Sequence, residues 1–213
     1  MKQTKIIIFL IIVFSFCLAF YFYPLMPERA ASHWNMKGEV DGYISKSWAS
    51  FLMPIISLVL VLLFLFIPKI DPFKENIKKF KGYFEGFIII ILLFLLYIYL
   101  LTIFWNLGFR FDMNYFMIPA FALLLYYAGI LVEKAKRNWF IGIRTPWTLS
   151  SEQVWDKTHK LGAKLFKASA VIVLLGMLFV DYVFYFVIIP IIALLVFSFL
   201  YSYLEYQKEI SKK

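Results

Sequence analysis

The chain has 213 residues, 63% of them hydrophobic and 21% aromatic, with a mean hydropathy of +0.81. A soluble domain of this size cannot hide that much apolar surface, so the composition excludes an ordinary globular protein and points to an integral membrane protein. The formal net charge of +9 would suit nucleic acid, but the cations cluster beside apolar runs. That pattern ties them to membrane topology and lipid headgroups and argues against direct nucleic-acid binding.

The apolar runs predict an all-α, polytopic membrane helix bundle with six transmembrane helices. Ile6 to Tyr23 is the first span, long enough for the hydrocarbon core at 1.5 Å per residue. It is read as uncleaved, because the run is long and ends in aromatics and proline. Its Cys17 is the only cysteine, so no intramolecular disulfide and no Cys-based metal site is expected. Ala49 to Ile67 is the second span. Pro68 to Glu85 is a basic connector in which Phe73, Ile77, Phe80 and Phe84 recur at helical spacing, so a short amphipathic helix on the membrane surface is expected, opening at Asp71-Pro72. Gly86 to Trp105 and Tyr115 to Val132 are the third and fourth spans. Leu165 to Tyr203 is too long for one crossing. Asp181 is therefore expected to mark a tight turn and to cap the sixth span, with a short fifth span continuing from an amphipathic helix before it.

Six spans put both termini on one side. Of the 22 Lys and Arg residues, 18 fall on the side of the termini and four, Arg29, Lys37, Lys46 and Arg110, on the other. The positive-inside rule then makes both termini cytoplasmic. Trp34, Trp48 and Trp105 are expected at the outer interface, and Trp139, Trp147 and Trp155 at the inner one. Two units are expected: 1–85, two spans with a folded outer loop and the basic connector, and 86–213, four spans with the inner loop 133–167.

The outer loop, Pro24 to Trp48, carries turn chemistry at Gly38 and Asp41-Gly42, so it is expected to be folded. His33, Trp34, Asn35, Asp41 and Lys46 are its candidate ligand contacts. They serve either as a docking surface or as polar groups that bond the loop's own backbone in a lid. His33 with Asp41, Glu39 or Glu28 is a sparse pattern for a metal, and His159 lies on the opposite face, so no metal and no cofactor is expected.

The inner loop, Glu133 to Lys167, holds eight of the 22 cations and three of the six Trp. Ser150 with Gln153 reads as a capping box opening a helix. Val154, Trp155, Thr158, Leu161, Leu165 and Phe166 fall on one face of that helix. Asp156, Lys157, Lys160 and Lys164 fall on the other, suiting it to the inner interface. Asp156 and Lys160 are spaced for an i,i+4 pair. Arg144, between Gly142 and Pro146, is placed to fork onto a carboxylate, a phosphate or helix carbonyls. It either recognises a headgroup or partner, or, with Trp147, staples the loop to the helix ends. Ser150 or Ser151, Asp156 and His159 suggest a triad, but the serines lie on the Asp side of the imidazole, so no catalytic residue is expected. No span carries a charge near its middle, which counts against a proton-coupled transporter.

The stretch Phe140-Ile141-Gly142-Ile143-Arg144-Thr145-Pro146-Trp147-Thr148-Leu149-Ser150, with Trp155, Thr158-His159 and Gly162, resembles the signature of the SdpI family. These are bacterial membrane immunity proteins against a secreted sporulation-delaying toxin. His33-Trp34-Asn35, Gly38, Asp41-Gly42-Tyr43 and Ser45-Lys46 resemble the domain of unknown function that often precedes that signature. The resemblance implies a protein that protects its cell from a membrane-active toxin, at times coupled to a cytosolic regulator. It makes Arg144, Thr145, Pro146, Trp147 and His159 family motif positions, without assigning them chemical roles. The expected partners are the lipid bilayer, a secreted toxin at the outer face and a cytosolic regulator at the inner loop. The alternative reading is a membrane enzyme, or a small-molecule or lipid transporter of the cell envelope.

Overall fold

The computed structural model describes residues 2–212, so Lys213, counted above among the cytoplasmic cations, lies outside them. Among the described residues, six helices are long and apolar enough to cross a membrane. They are α1 (Lys2–Phe22), α2 (Lys46–Ile70), α4 (Lys81–Asn106), α5 (Met113–Lys134), α7 (Glu152–Leu175) and α8 (Val183–Ile210). Only 22% to 33% of each apolar window is buried inside the protein. The rest shows Phe, Leu, Ile and Val outward, such as Phe9, Leu62, Leu123 and Leu195. Such a surface is stable only against lipid, and the helix is stable there because its backbone groups bond within the segment. The chain is a multi-pass membrane protein, as its composition requires.

The chain packs as two compact units, Met1–Phe64 with Ile88–Ala120, and Leu65–Phe87 with Phe121–Lys213. In the first, the stretch between α1 and α2 forms an antiparallel hairpin, β1 (Arg29–Trp34) and β2 (Val40–Ser45). The outer loop is folded, as its turn chemistry predicts, and the fold is a pair of strands. The alternation was present: Asp41, Tyr43 and Ser45 are exposed while Val40, Gly42 and Ile44 are partly buried, the period-2 pattern of a half-buried strand. Register slips between Ala31 and Trp34, and the turn closes at Gly38 with a backbone φ of 75°. The core of this unit is Ala19, Met26, Ala30, Ala49, Tyr99 and Ile103, with Ile44 of β2 and Phe22 against it. The small residues bring α1, β1 and α2 close, and Tyr99 satisfies its buried hydroxyl on the Ser50 carbonyl at 2.6 Å.

In the second unit, α3 (Lys74–Lys79) and α6 (Pro146–Ser150) are short, and α7 packs along α8 with α6 against both. The connector's apolar stripe is a core element. Ile77, Phe80 and Phe84 are 2%, 1% and 3% exposed, so they face protein rather than a bilayer surface. Its helix also breaks at Phe80, and α4 restarts at Lys81. The expected amphipathic helix and the fifth span are one continuous helix, α7. Its buried face, including Val154, Trp155, Thr158, His159, Gly162 and Ala163, is likewise turned to protein. Two capping expectations are corrected. The N-cap of α7 is Ser151, not Ser150. Asp181 sits in a 3-10 turn, Val180–Tyr182, and Tyr182 precedes α8 with no side-chain cap.

Candidate functional site

Two constellations carry the sequence motifs, one in each unit. In the hairpin, Asn35 builds the turn. Its Oδ1 accepts from the N–H groups of Lys37 and Glu39 at 2.8 and 3.1 Å, and its Nδ2 donates to Glu39 at 3.0 Å. Asn114, at the start of α5, donates to the carbonyls of Asn35 and Met36. Asn106, at the end of α4, both accepts from Ala31 N–H at 2.7 Å and donates to Ala31 C=O at 3.0 Å. A primary amide used this way imitates a neighbouring strand and closes the outer edge of β1.

His33 and Asp41 face each other across the strands, Nδ1 to Oδ1 at 2.5 Å, with side chains 70% and 46% exposed. Trp34 packs edge-on against Trp105 at 5.4 Å, and its Nε1 is buried without a partner. It is an anchor rather than an exposed contact. Lys46 lies over the Tyr23 ring and within 3.5 Å of Glu28. Of the five hairpin candidates, Trp34, Asn35 and Lys46 hold the loop to itself and its unit. His33 and Asp41 remain directed to solvent, beside exposed Tyr43 and Met36.

The second constellation surrounds the motif loop. Asn138, fully buried, uses all four of its hydrogen-bonding positions. Oδ1 accepts from Phe140 and Ile141 N–H, and Nδ2 donates to the Lys136 and Ile141 carbonyls, at 2.6 to 2.9 Å. Asp71, 2% exposed, accepts from Phe73 N–H at 2.6 Å and from Trp139 N–H at 2.9 Å, and Asn76 donates to the Arg137 carbonyl. The connector is thereby clasped to the loop. The expected helix start at Asp71-Pro72 is corrected: α3 begins at Lys74 with Phe73 as its N-cap, and Asp71 instead bonds the turn before it and the distant Trp139. Asn138 was missed because a lone Asn in a basic stretch carries no periodic signal.

His159 is 2% exposed. Its Nδ1 lies 2.9 Å from the Trp155 carbonyl, and Nε2 lies 3.0 Å from Ile143 N–H. A carbonyl can only accept and an amide N–H can only donate, so Nδ1 carries the proton and the ring is neutral. Trp155 stacks on it at 3.9 Å and donates Nε1 to the Ala135 carbonyl at 2.9 Å. Trp155 is thus 0% exposed, a core residue and not part of an interfacial belt. Gly142 has a backbone φ of 118°, and a Cβ there would lie 2.3 Å from His159 Nε2. Glycine is required on both counts.

Thr145 caps α6 in a reciprocal capping box with Thr148 and donates to Ser202 of α8 at 3.0 Å. Trp147 packs on Phe199 and Tyr203 of α8 at 5.0 and 5.1 Å. Arg144 is exposed and reaches the Trp139 carbonyl with Nη1 at 2.9 Å, leaving most of its fork to solvent. Asp156 forms an ion pair with Lys136 at 3.4 Å, a partner the i,i+4 spacing to Lys160 did not suggest. Ser150 bonds the Pro146 carbonyl, Ser151 bonds Glu209, and both nitrogens of His159 face backbone. These three residues do not form a nucleophile–base pair. Among the described residues, no group of three or more His, Cys, Asp or Glu could hold a metal ion.

Residues 134–202 match the SdpI/YfhL protein family, and residues 10–58 match a domain of unknown function (DUF1648). The chain is similar to the immunity protein SdpI of Bacillus subtilis (strain 168), 28% identical over 207 residues and covering 97% of each chain. No solved structure matches. The two matched segments contain the hairpin and the motif loop in turn, and the likeness to the relative runs nearly end to end.

Proposed function

We propose that this protein is a membrane immunity protein that protects the cell producing it against a secreted, membrane-active toxin. The observation that carries the reading is the likeness to a protein named for immunity across 97% of both chains. We propose an orientation with both termini cytoplasmic and the hairpin outside, supported by the 18-to-4 split of Lys and Arg and the positive-inside rule. In that orientation His33, Asp41 and Tyr43 meet a toxin arriving from outside, on a hairpin whose other polar groups already hold it in shape. The protein acts by binding rather than catalysis. The neutral, backbone-bonded state of His159 supports this, since it leaves the motif loop no free base. The test is expression in a sensitive cell challenged with secreted toxins. Survival of expressing cells against at least one toxin is expected. Unchanged killing across the panel contradicts the proposal.

A second step, coupling to a cytosolic regulator, belongs to the motif loop. Arg144 is its one motif side chain that combines exposure with unused donors. Signalling requires two loop arrangements with different affinity for the regulator. Arg144→Ala is expected to abolish the signal while leaving protein level and toxin binding intact. A collapse of protein level would assign Arg144 to the fold instead.

A further inference from the structure

A pocket of about 260 Å³ lies in the second unit where α7 begins and α8 ends, lined by Gln153, Lys157, Glu205, Lys208, Glu209 and Lys212. Its floor is unusual for a helix end. Glu205 is 6% exposed and is held by two ammonium groups, Lys157 Nζ at 2.7 Å on one oxygen and Lys208 Nζ at 2.8 Å on the other. One carboxylate therefore fixes two lysines side by side. Each ammonium has three donors, so donors remain on both after the carboxylate is satisfied. Glu209 is engaged by the Ser151 hydroxyl. Three lysines against two glutamates leave the lining one net positive charge, and the volume lies below the roughly 300–1,000 Å³ of drug-sized sites.

We propose that this pocket binds the singly charged phosphodiester headgroup of an anionic phospholipid. Lys157 and Lys208 act as the oriented pair, Lys212 as the third cation, and Glu205 as the residue that positions them. The charge matches a monoanion. The depth matches as well, because both helices are spans and the pocket sits at their ends, where headgroups lie. Back along α8 on the Lys208 side, Leu204 at i−4 and Phe197 at i−11 are exposed, an apolar flank that suits acyl chains and that free phosphate would not use. Neither the toxin nor the regulator is involved, so the proposal stands apart from the immunity reading.

The test uses the purified full chain in neutral detergent, with phosphatidylglycerol, phosphatidylcholine or inorganic phosphate added, read by native mass spectrometry and thermal unfolding. Phosphatidylglycerol is expected to be retained over phosphatidylcholine by about tenfold or more and to raise Tm. Two variants should lose that preference: Lys212→Gln, which leaves the Glu205 cluster intact, and the combined Lys157→Gln, Glu205→Gln, Lys208→Gln, which strands no buried charge. If inorganic phosphate alone raises Tm in the wild type but not in the variants, the anion site stands and its source is free phosphate. A preference for phosphatidylglycerol that is absent, or unchanged in both variants, overturns the proposal.

Discussion

Residue by residue, the motif loop is held by side chains that bond to backbone. Asn138 satisfies two N–H and two C=O groups of its own turn, and His159 receives Ile143 N–H from 16 residues away. Removing either partner leaves buried polar groups unpaired, at about 1–3 kcal/mol each. Gly142→Ala adds a Cβ against the His159 ring and forces an unfavourable φ. It is expected to destabilise the fold by about 2–5 kcal/mol, read as a large fall in Tm in detergent; a Tm within a degree of wild type would contradict the loop geometry. Arg144→Ala, at an exposed position, is expected to change stability by no more than about 1 kcal/mol, measured in the same way. The sequence singled out His159, Thr145 and Trp147 as motif positions, but the hydrogen bonds and ring contacts they make within the fold were not legible there. A turn with a φ of 118° and an imidazole acceptor under it are set by tertiary approach, which no local pattern encodes.

At the scale of elements, periodicity gave the spans, because an apolar run of about 20 residues has few other uses. It did not separate a helix face turned to lipid from one turned to protein. Ile77, Phe80 and Phe84 repeat as a surface helix would, but Asp71 and Asn76 clasp that segment to the loop and turn the stripe inward. The hairpin was legible as folded but not as strands. Asn106 and Asn114, which sit at helix ends and read as ordinary loop residues, supply its outer contacts. Asn106→Ala is expected to open the β1 edge. Hydrogen exchange at Ala31 should then rise by about tenfold, the loss of one hydrogen bond of about 1.4 kcal/mol, while protection within α7 stays as in the wild type. Unchanged exchange at Ala31 would mean that another group closes that edge.

At the scale of the whole molecule, six helices able to span a membrane among the described residues combine with a strong charge asymmetry and a likeness that runs nearly the length of the chain. The orientation is checked by reporter fusions: tags at the N- and C-terminus are expected to be active only in the cytoplasm, and a tag in the hairpin turn at Lys37 only outside. The central claim is that the hairpin confers protection. Its most direct test is survival of sensitive cells that carry the double variant His33→Ala, Asp41→Ala at a membrane level matched to wild type. The pair is exposed, so its loss should cost the fold no more than about 1 kcal/mol. The variant is expected to accumulate normally and yet lose most of the wild-type protection; full protection at matched level would contradict a protective role for the hairpin.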